Sequence, residues 1–245
     1  MTKLSPYDVK SQRHGKLLLI VCLCLTMLVM TIYFTRQANS QLPIIQGIIL
    51  NEAMTFEPFE LRDHHNQVFT DKNFSDNWFL ISYGYTHCPD VCPTTLMLMK
   101  QFSEQLITFD HTKQIKLLFY TIDPLRDTQQ VMQQYMNYFG DNFIGLRPSA
   151  NDLYLNFETN LALKYLITSS AVSTNLQTNN VDNAILDKSY QVSHGLTLYL
   201  VNPDGKLQAI LHPKIDPFGK ANFSVEQIYQ DFIISRQYYR TNIKQ

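Results

Sequence analysis

Cys88 and Cys92 stand with three residues between them in the run Tyr83-Gly84-Tyr85-Thr86-His87-Cys88-Pro89-Asp90-Val91-Cys92-Pro93-Thr94-Thr95. The apolar stretch Phe79-Leu80-Ile81-Ser82-Tyr83 before them reads as a buried strand, and the residues after Pro93 read as a helix. Both thiols therefore fall on a strand-to-helix loop near a helix N-terminus. Free backbone N–H groups and the helix dipole stabilise thiolate there. Two thiolates so placed can hold a soft metal ion or cycle through a disulfide. A redox pair in this setting is normally separated by two residues. The third residue still permits a disulfide, but it widens the bite enough for both sulfurs to hold one ion, and thiolates select soft ions such as Cu(I). A purely structural disulfide is disfavoured, because closing so short a loop removes little chain entropy.

A metal would need a further ligand from elsewhere in the chain. His64 and His65 fall in a turn and His111 in a polar connection, so these three read as solvated loop residues; His14 precedes a long apolar segment. His212 closes the return strand of a hairpin and reads as surface. His87 adjoins Cys88, but neighbours on an extended loop point apart. His194 begins the strand before that hairpin and is the best placed of these candidates, with His87 and His212 left open. Met97 and Met99 follow the helical period and read as core filling. Asp90, between the cysteines, either tunes the local charge or is simply solvated.

The elements that must position these groups are legible in outline. Phe56 to Leu61 reads as a first short strand, and His65-Asn66-Gln67 as a turn into Val68-Phe69. Trp78 to Tyr83 is a continuous apolar run, as a strand buried on both faces requires. Apolar residues at 96, 97, 99, 102 and 106 predict a helix over Thr94 to Leu106. Ile115 to Ile122 is a second buried strand, which completes a right-handed βαβ unit. Asp127 is placed to cap a helix carrying Val131, Met132, Tyr135, Met136 and Phe139, which Gly140 stops. Phe143 to Leu146 reads as a short strand and Ala150 to Leu166 as a helix, followed by a Ser-, Thr- and Asn-rich loop over 168–186. Leu196 to Val201, the turn Asn202-Pro203-Asp204-Gly205 and Leu207 to Leu211 predict a β-hairpin, and Ser224 to Ile234 a final helix. A βαβ unit with cysteines on its first connection, then a hairpin and a last helix, is the thioredoxin plan. Its ligands collect at the carboxyl ends of the parallel strands. There the loop that enters the hairpin, with His194, lies beside the cysteine loop.

Leu17 to Phe34 is an unbroken run of 18 mostly apolar residues. As a helix it extends about 27 Å, close to a hydrocarbon core of roughly 30 Å. Lys3, Lys10, Arg13 and Lys16 precede it, which predicts an uncleaved signal anchor with its N-terminus in the cytoplasm and the rest outside. Cys22 and Cys24 lie within this run and read as small membrane-facing residues. The expected division is a cytoplasmic stretch 1–16, the anchor 17–34, a tether 35–53 and one α/β domain 54–245. Beyond residue 36 the chain carries 15 basic and 20 acidic groups, a balance that gives no support for nucleic-acid binding.

Gly84 to Thr95 resembles the signature of the Sco/SenC family, the copper-binding proteins of cytochrome c oxidase assembly. Thr121-Ile122-Asp123-Pro124-Leu125-Arg126-Asp127-Thr128 resembles the family's second block, and Tyr190 to Lys206 its third. The resemblance runs from about Phe56 to the C-terminus. It implies a membrane-anchored thioredoxin-like domain in which Cys88, Cys92 and His194 bind copper, Cu(I) or Cu(II). It also implies delivery to the binuclear copper centre of cytochrome c oxidase subunit II, or to another exported copper protein. A thiol–disulfide oxidoreductase acting on such a recipient through Cys88 and Cys92 is the alternative. Two departures bear on the site. The family carries an acidic residue before the histidine and a hydroxyl residue after it, where this chain has Ser193 and Gly195, which leaves the support of the imidazole open. Asp123 ends a parallel strand and either supports the ligands or forms the turn before Pro124.

Overall fold

The computed structural model describes residues 18–33, 42–109, 115–169 and 190–242. The chain divides into two compact units, Met1–Leu42 and Pro43–Gln245. In the first, residues 18–33 form helix α1, whose side chains, Cys22 and Cys24 included, are all exposed. Among the described residues no helix is long and apolar enough to cross a membrane. His14 and His111 lie outside the described residues.

The second unit is a mixed α/β layer structure of the thioredoxin type. Three parallel strands, β4 (Phe79–Gly84), β5 (Lys116–Thr121) and β6 (Phe143–Pro148), form the centre of an eight-stranded sheet. Helices α2 (Val91–Phe109) and α3 (Gln129–Phe139) make the crossovers. The antiparallel hairpin β9 (Leu198–Val201) and β10 (Lys206–Leu211) joins the β4 edge, and β1 (Gly47–Thr55) pairs outside β10. On the other side β2 (Glu60–Asp63) and β3 (Val68–Thr70) extend the sheet beyond β6. The resulting order is β1-β10-β9-β4-β5-β6-β2-β3. Helix α5 (Val225–Asn242) packs with α2 and α3 on one face, where Leu96, Met99, Phe102, Met136 and Phe232 share a core. The other face is largely aromatic: Phe56, Phe59, Phe69, Phe74, Phe79 and Phe157 meet under the short helix α4 (Tyr154–Asn160). Burying such rings stabilises by about 2–3 kcal/mol each, which explains why Phe56 and Phe59 are fixed although they precede β2 rather than lie in it.

Several expectations need correction. The segment from Gly47, read as tether, is an edge strand: its backbone finds partners on β10 from Leu211 to Lys206. The helix expected over 150–166 shrinks to α4. Ala162 adopts a positive φ of 47°, and the β-favouring run after it forms β7 (Tyr165–Ser169) instead, paired with β8 (Tyr190–His194) in a separate two-stranded sheet. Of the expected loop, 170–186 lie outside the described residues. Asp127 does not cap α3; the Thr128 side chain accepts the Val131 N–H at 3.4 Å in that role. Met99 is fully buried, but Met97 is 37 % exposed on the outer face of α2. His64 is buried, its Nδ1 accepting the Gly145 N–H at 3.1 Å, and burial pushes its pKa down. His65 and His212 are exposed.

Candidate metal centre

Helix α2 begins at Val91, earlier than the apolar period indicates, so Cys92 lies in its first turn with Pro93. Pro93 fits there because first-turn N–H groups have no helical partner. Cys88 sits on the loop before it, its N–H bonded to the Tyr85 carbonyl at 3.2 Å. His194 is the last residue of β8, four residues before β9, rather than the first of the hairpin strand. The register opposes it to Tyr165 at the base of β7. One ligand atom from each of Cys88, Cys92 and His194 lies within 4.8 Å of the other two, a spacing that can hold one metal ion. Cys92 is buried, whereas Cys88 and His194 are partly open. Both cysteines are free thiols.

The imidazole is oriented. His194 Nδ1 lies 2.8 Å from the Gly195 carbonyl, which can only accept, so Nδ1 carries the proton. Nε2 is left with its lone pair 3.5 Å from the Cys92 sulfur. A main-chain carbonyl thereby does what a neighbouring carboxylate or hydroxyl would do, and fixes the tautomer a metal needs. The rings of Tyr83 and Tyr85 flank the imidazole with centroids 5.3 and 6.0 Å away.

The two thiols differ sharply. The hydrogen bond from the Cys92 thiol, helped by the Cys92 and Asp90 N–H groups, holds Cys88 well below the usual thiol range, against a smaller effect of burial. The bond to Cys88 pushes Cys92 up, and burial and the charge on Asp127 add to this. The metal-free pair is thus one thiolate and one thiol sharing a proton. The donor set of two sulfurs and one neutral imidazole fits Cu(I) and tolerates Cu(II).

A family model described as SCO1/SenC matches residues 50–221. The chain belongs to the SCO1/SenC family. A Stutzerimonas stutzeri protein is 31 % identical over 170 residues, 69 % of this chain and 75 % of that protein. The mitochondrial SCO1 homologue of Homo sapiens is 31 % identical over 163 residues, 66 % of this SCO1/SenC chain but only 47 % of its own length. Among solved structures, copper-bound ScoI of Arabidopsis thaliana superposes with a TM-score of 0.58 at 24 % identity, covering 76 % of this chain and 99 % of that one. That likeness shows the shared fold.

Around the three candidate ligands, this SCO1/SenC chain places further residues, of which the sequence raises only Asp123 as a candidate support. Gly84 ends β4 directly behind Cys92. Asp127 is fully buried and accepts the Thr86 N–H at 3.0 Å, the Thr86 hydroxyl and the Thr121 hydroxyl, clamping the loop before Cys88 to the end of β5. Asp123, 1 % exposed, pairs with Arg126 and accepts the Tyr190 hydroxyl. Arg126 also donates to the Tyr190 carbonyl at 3.0 Å, with its guanidinium 4.1 Å from the Tyr190 ring centroid. Asp123 is therefore a support group that fastens the start of the strand bearing His194. The sequence signal was present in the density of hydroxyl and acidic residues at the two strand ends, but not the pairing among them. His87 is exposed and points to Thr86 and Asp127, and Asp90 is exposed against Lys220.

Proposed function

We propose that this chain is a copper metallochaperone that binds one copper ion through Cys88, Cys92 and His194 and delivers it during cytochrome c oxidase assembly. The recipient is the binuclear copper centre of subunit II or another exported copper protein. The observation that carries the reading is the set of three converging ligand atoms with Nε2 of His194 freed for metal by the Gly195 carbonyl. Copper-bound ScoI of Arabidopsis thaliana supports copper as the ion. The burial pattern supports a transferable cargo: Cys92 is deep, whereas Cys88 is open enough for an incoming ligand to displace it first. Residues 17–34 serve as an anchor, N-terminus inside and domain outside the cytoplasmic membrane. The exposed apolar helix α1 and the basic cluster before it support this.

The deciding experiment titrates the reduced full-length chain in detergent with Cu(I), beside His194→Ala. Wild type takes up one equivalent tightly, and the variant loses tight binding together with oxidase maturation in a null strain. A dithiol reductant has no need of the imidazole, so full maturation by His194→Ala would overturn the metallochaperone reading in favour of thiol–disulfide exchange.

A further inference from the structure

The register of the sheet gathers several features at one end. β1 starts at Gly47, opposite Leu211 at the end of β10, and Leu211 faces Leu198 at the start of β9. β9 runs antiparallel to β4, so Gly84 and the cysteine loop lie at this end as well. The chain therefore enters the domain at the end that carries Cys88, Cys92 and His194. The entry is pinned there, because the His212 N–H donates to the Gln46 carbonyl at 2.9 Å.

A small hairpin leaves from the same end. Its strands are β11 (Lys214–Ile215) and β12 (Ala221–Asn222). Lys214 lines a shallow cavity with Ile44, Ile45 and Gln46, beside the incoming chain. The tip is held by four hydrogen bonds. The Asp216 N–H donates to the Lys220 carbonyl at 3.0 Å and the Gly219 N–H to the Asp216 carbonyl at 2.9 Å. The Asp216 carboxylate accepts the Phe218 and Lys220 N–H groups at 2.9 and 2.8 Å. Gly219, at φ +80°, closes the turn with open space around it. This ordered tip holds Phe218 94 % exposed and Ile215 73 % exposed, with Ile44 on the entering chain 91 % exposed. Lys220 reaches back to Asp90, between the two cysteines, at 3.5 Å.

We propose that the β11–β12 hairpin is a membrane-docking finger: Ile215 and Phe218, bracketed by Lys214 and Lys220, seat on an anionic lipid surface and turn the copper end of the sheet toward the bilayer. The inference rests on the anchor reading above. Only nine residues, 34–42, separate α1 from Pro43, at most about 30 Å of extended chain. The finger therefore stays within reach of the headgroups. Its composition suits them. An aromatic ring and an aliphatic side chain enter the acyl boundary while two lysines lie at headgroup level and are drawn by negative lipids. The one acidic group at the tip, Asp216, is already engaged by two backbone donors. Through Lys220 and Asp90 the seated finger fixes the orientation of the cysteine loop. Copper would then be presented to a recipient site lying close to the membrane surface.

The test uses the full-length chain with Phe218→Trp, reconstituted into vesicles of phosphatidylcholine and phosphatidylglycerol brominated on the acyl chains. The native indole, Trp78, is only 3 % exposed, so the parent chain supplies the background. The introduced indole should be quenched several-fold more than that background and shift to the blue. Adding Lys214→Glu and Lys220→Glu, or omitting phosphatidylglycerol, should remove most of the effect. If the chain floats with the vesicles and the new indole is quenched no more than the parent, docking fails while the anchor stands. If the indole is shielded only when a copper-accepting protein is added, the finger belongs to a protein partner and the lipid proposal is overturned. A chain that does not float with vesicles at all defeats the anchor and the docking together.

Discussion

A methyl group on Gly84 would lie 2.5 Å from the sulfur of Cys92, well inside van der Waals contact, with Phe119 and the His194 ring closing the other sides at 3.3 and 3.5 Å. The end of β4 thus fits the buried ligand so closely that only glycine leaves it in place. Gly84→Ala is expected to push the Cys92 sulfur away from the His194 Nε2, weakening Cu(I) binding about tenfold or more, as disturbed ligand support commonly does. It should also cost about 1–3 kcal/mol of stability through overpacking. Gly195→Ala is the control. Its added carbon would meet only the Tyr83 hydroxyl at 3.4 Å, so near-wild-type affinity is expected. Chelator competition on both variants decides the matter, and equal affinities would sink the argument.

Copper uptake should be coupled to loss of a proton. Near neutrality Cys88 is held as thiolate, while its bond to Cys92, burial and Asp127 keep Cys92 protonated. Binding through both sulfurs must displace the Cys92 proton, so affinity rises with pH, about tenfold per unit between pH 7 and 8. Adding Cu(I) to the reduced chain in weak buffer should release about one proton per ion. The same asymmetry makes Cys88 the sulfur that a mild alkylating agent takes first, readable by peptide mass. Affinity that is flat with pH and unaccompanied by proton release would contradict the shared-proton picture.

How much of this was readable beforehand depended on how local the determining physics is. The strand–Cys–helix order around Cys88 and Cys92 is written in a contiguous apolar run and a helical period, and the βαβ plan and the β9–β10 hairpin follow from similar local patterns. The edge strand β1 was not, because its Ile48-Ile49-Leu50-Asn51-Glu52 run gains strand character only from pairing with β10, far away in sequence. Position 127 misled for a related reason. An Asp one residue before a Thr at a helix start looks like a cap, and only the fold shows that it is buried among Thr86 and Thr121 while Thr128 caps. His64 looked solvated because its turn is polar, yet the Gly145 N–H of β6 claims its ring. The support of the His194 ring by its neighbour's carbonyl is a backbone interaction that no side-chain pattern announces.

Arg126 and Tyr190 fasten the strand that carries His194. Tyr190→Phe leaves one oxygen of buried Asp123 without its donor and should cost about 1–3 kcal/mol. Arg126→Ala leaves the buried Asp123 carboxylate without its charge partner, with only the Tyr190 hydroxyl still donating to it, and is expected to cost about 3–5 kcal/mol. Urea unfolding of the metal-free chain gives both values. Because the lost contacts lie four residues from His194, copper bound to Tyr190→Phe should also show a weakened imidazole signature in its Cu(II) spectrum. An unchanged spectrum together with unchanged stability would remove Tyr190 from the machinery.

Asp127 offers a prediction whose sign is fixed by linkage. Burial raises its pKa, against the opposing hydrogen bonds from Thr121 and Thr86. A carboxyl whose folded pKa lies above its unfolded value binds its proton more readily in the native chain. Its contribution is therefore most favourable at low pH and is lost as pH rises through the folded pKa. Asp127→Asn cannot titrate. It also turns one amide N–H toward the Thr86 N–H or the Thr121 hydroxyl, where an acceptor is needed. The variant should be about 1–3 kcal/mol less stable at pH 7. The gap to wild type should widen as pH falls toward 4, since only the wild type gains from protonation. Stabilities of the two chains measured across pH 4 to 7 give the difference free of the other carboxylates, which cancel. A gap that narrows on acidification would mean that the donors from Thr86 and Thr121 outweigh burial and hold the Asp127 pKa below its unfolded value.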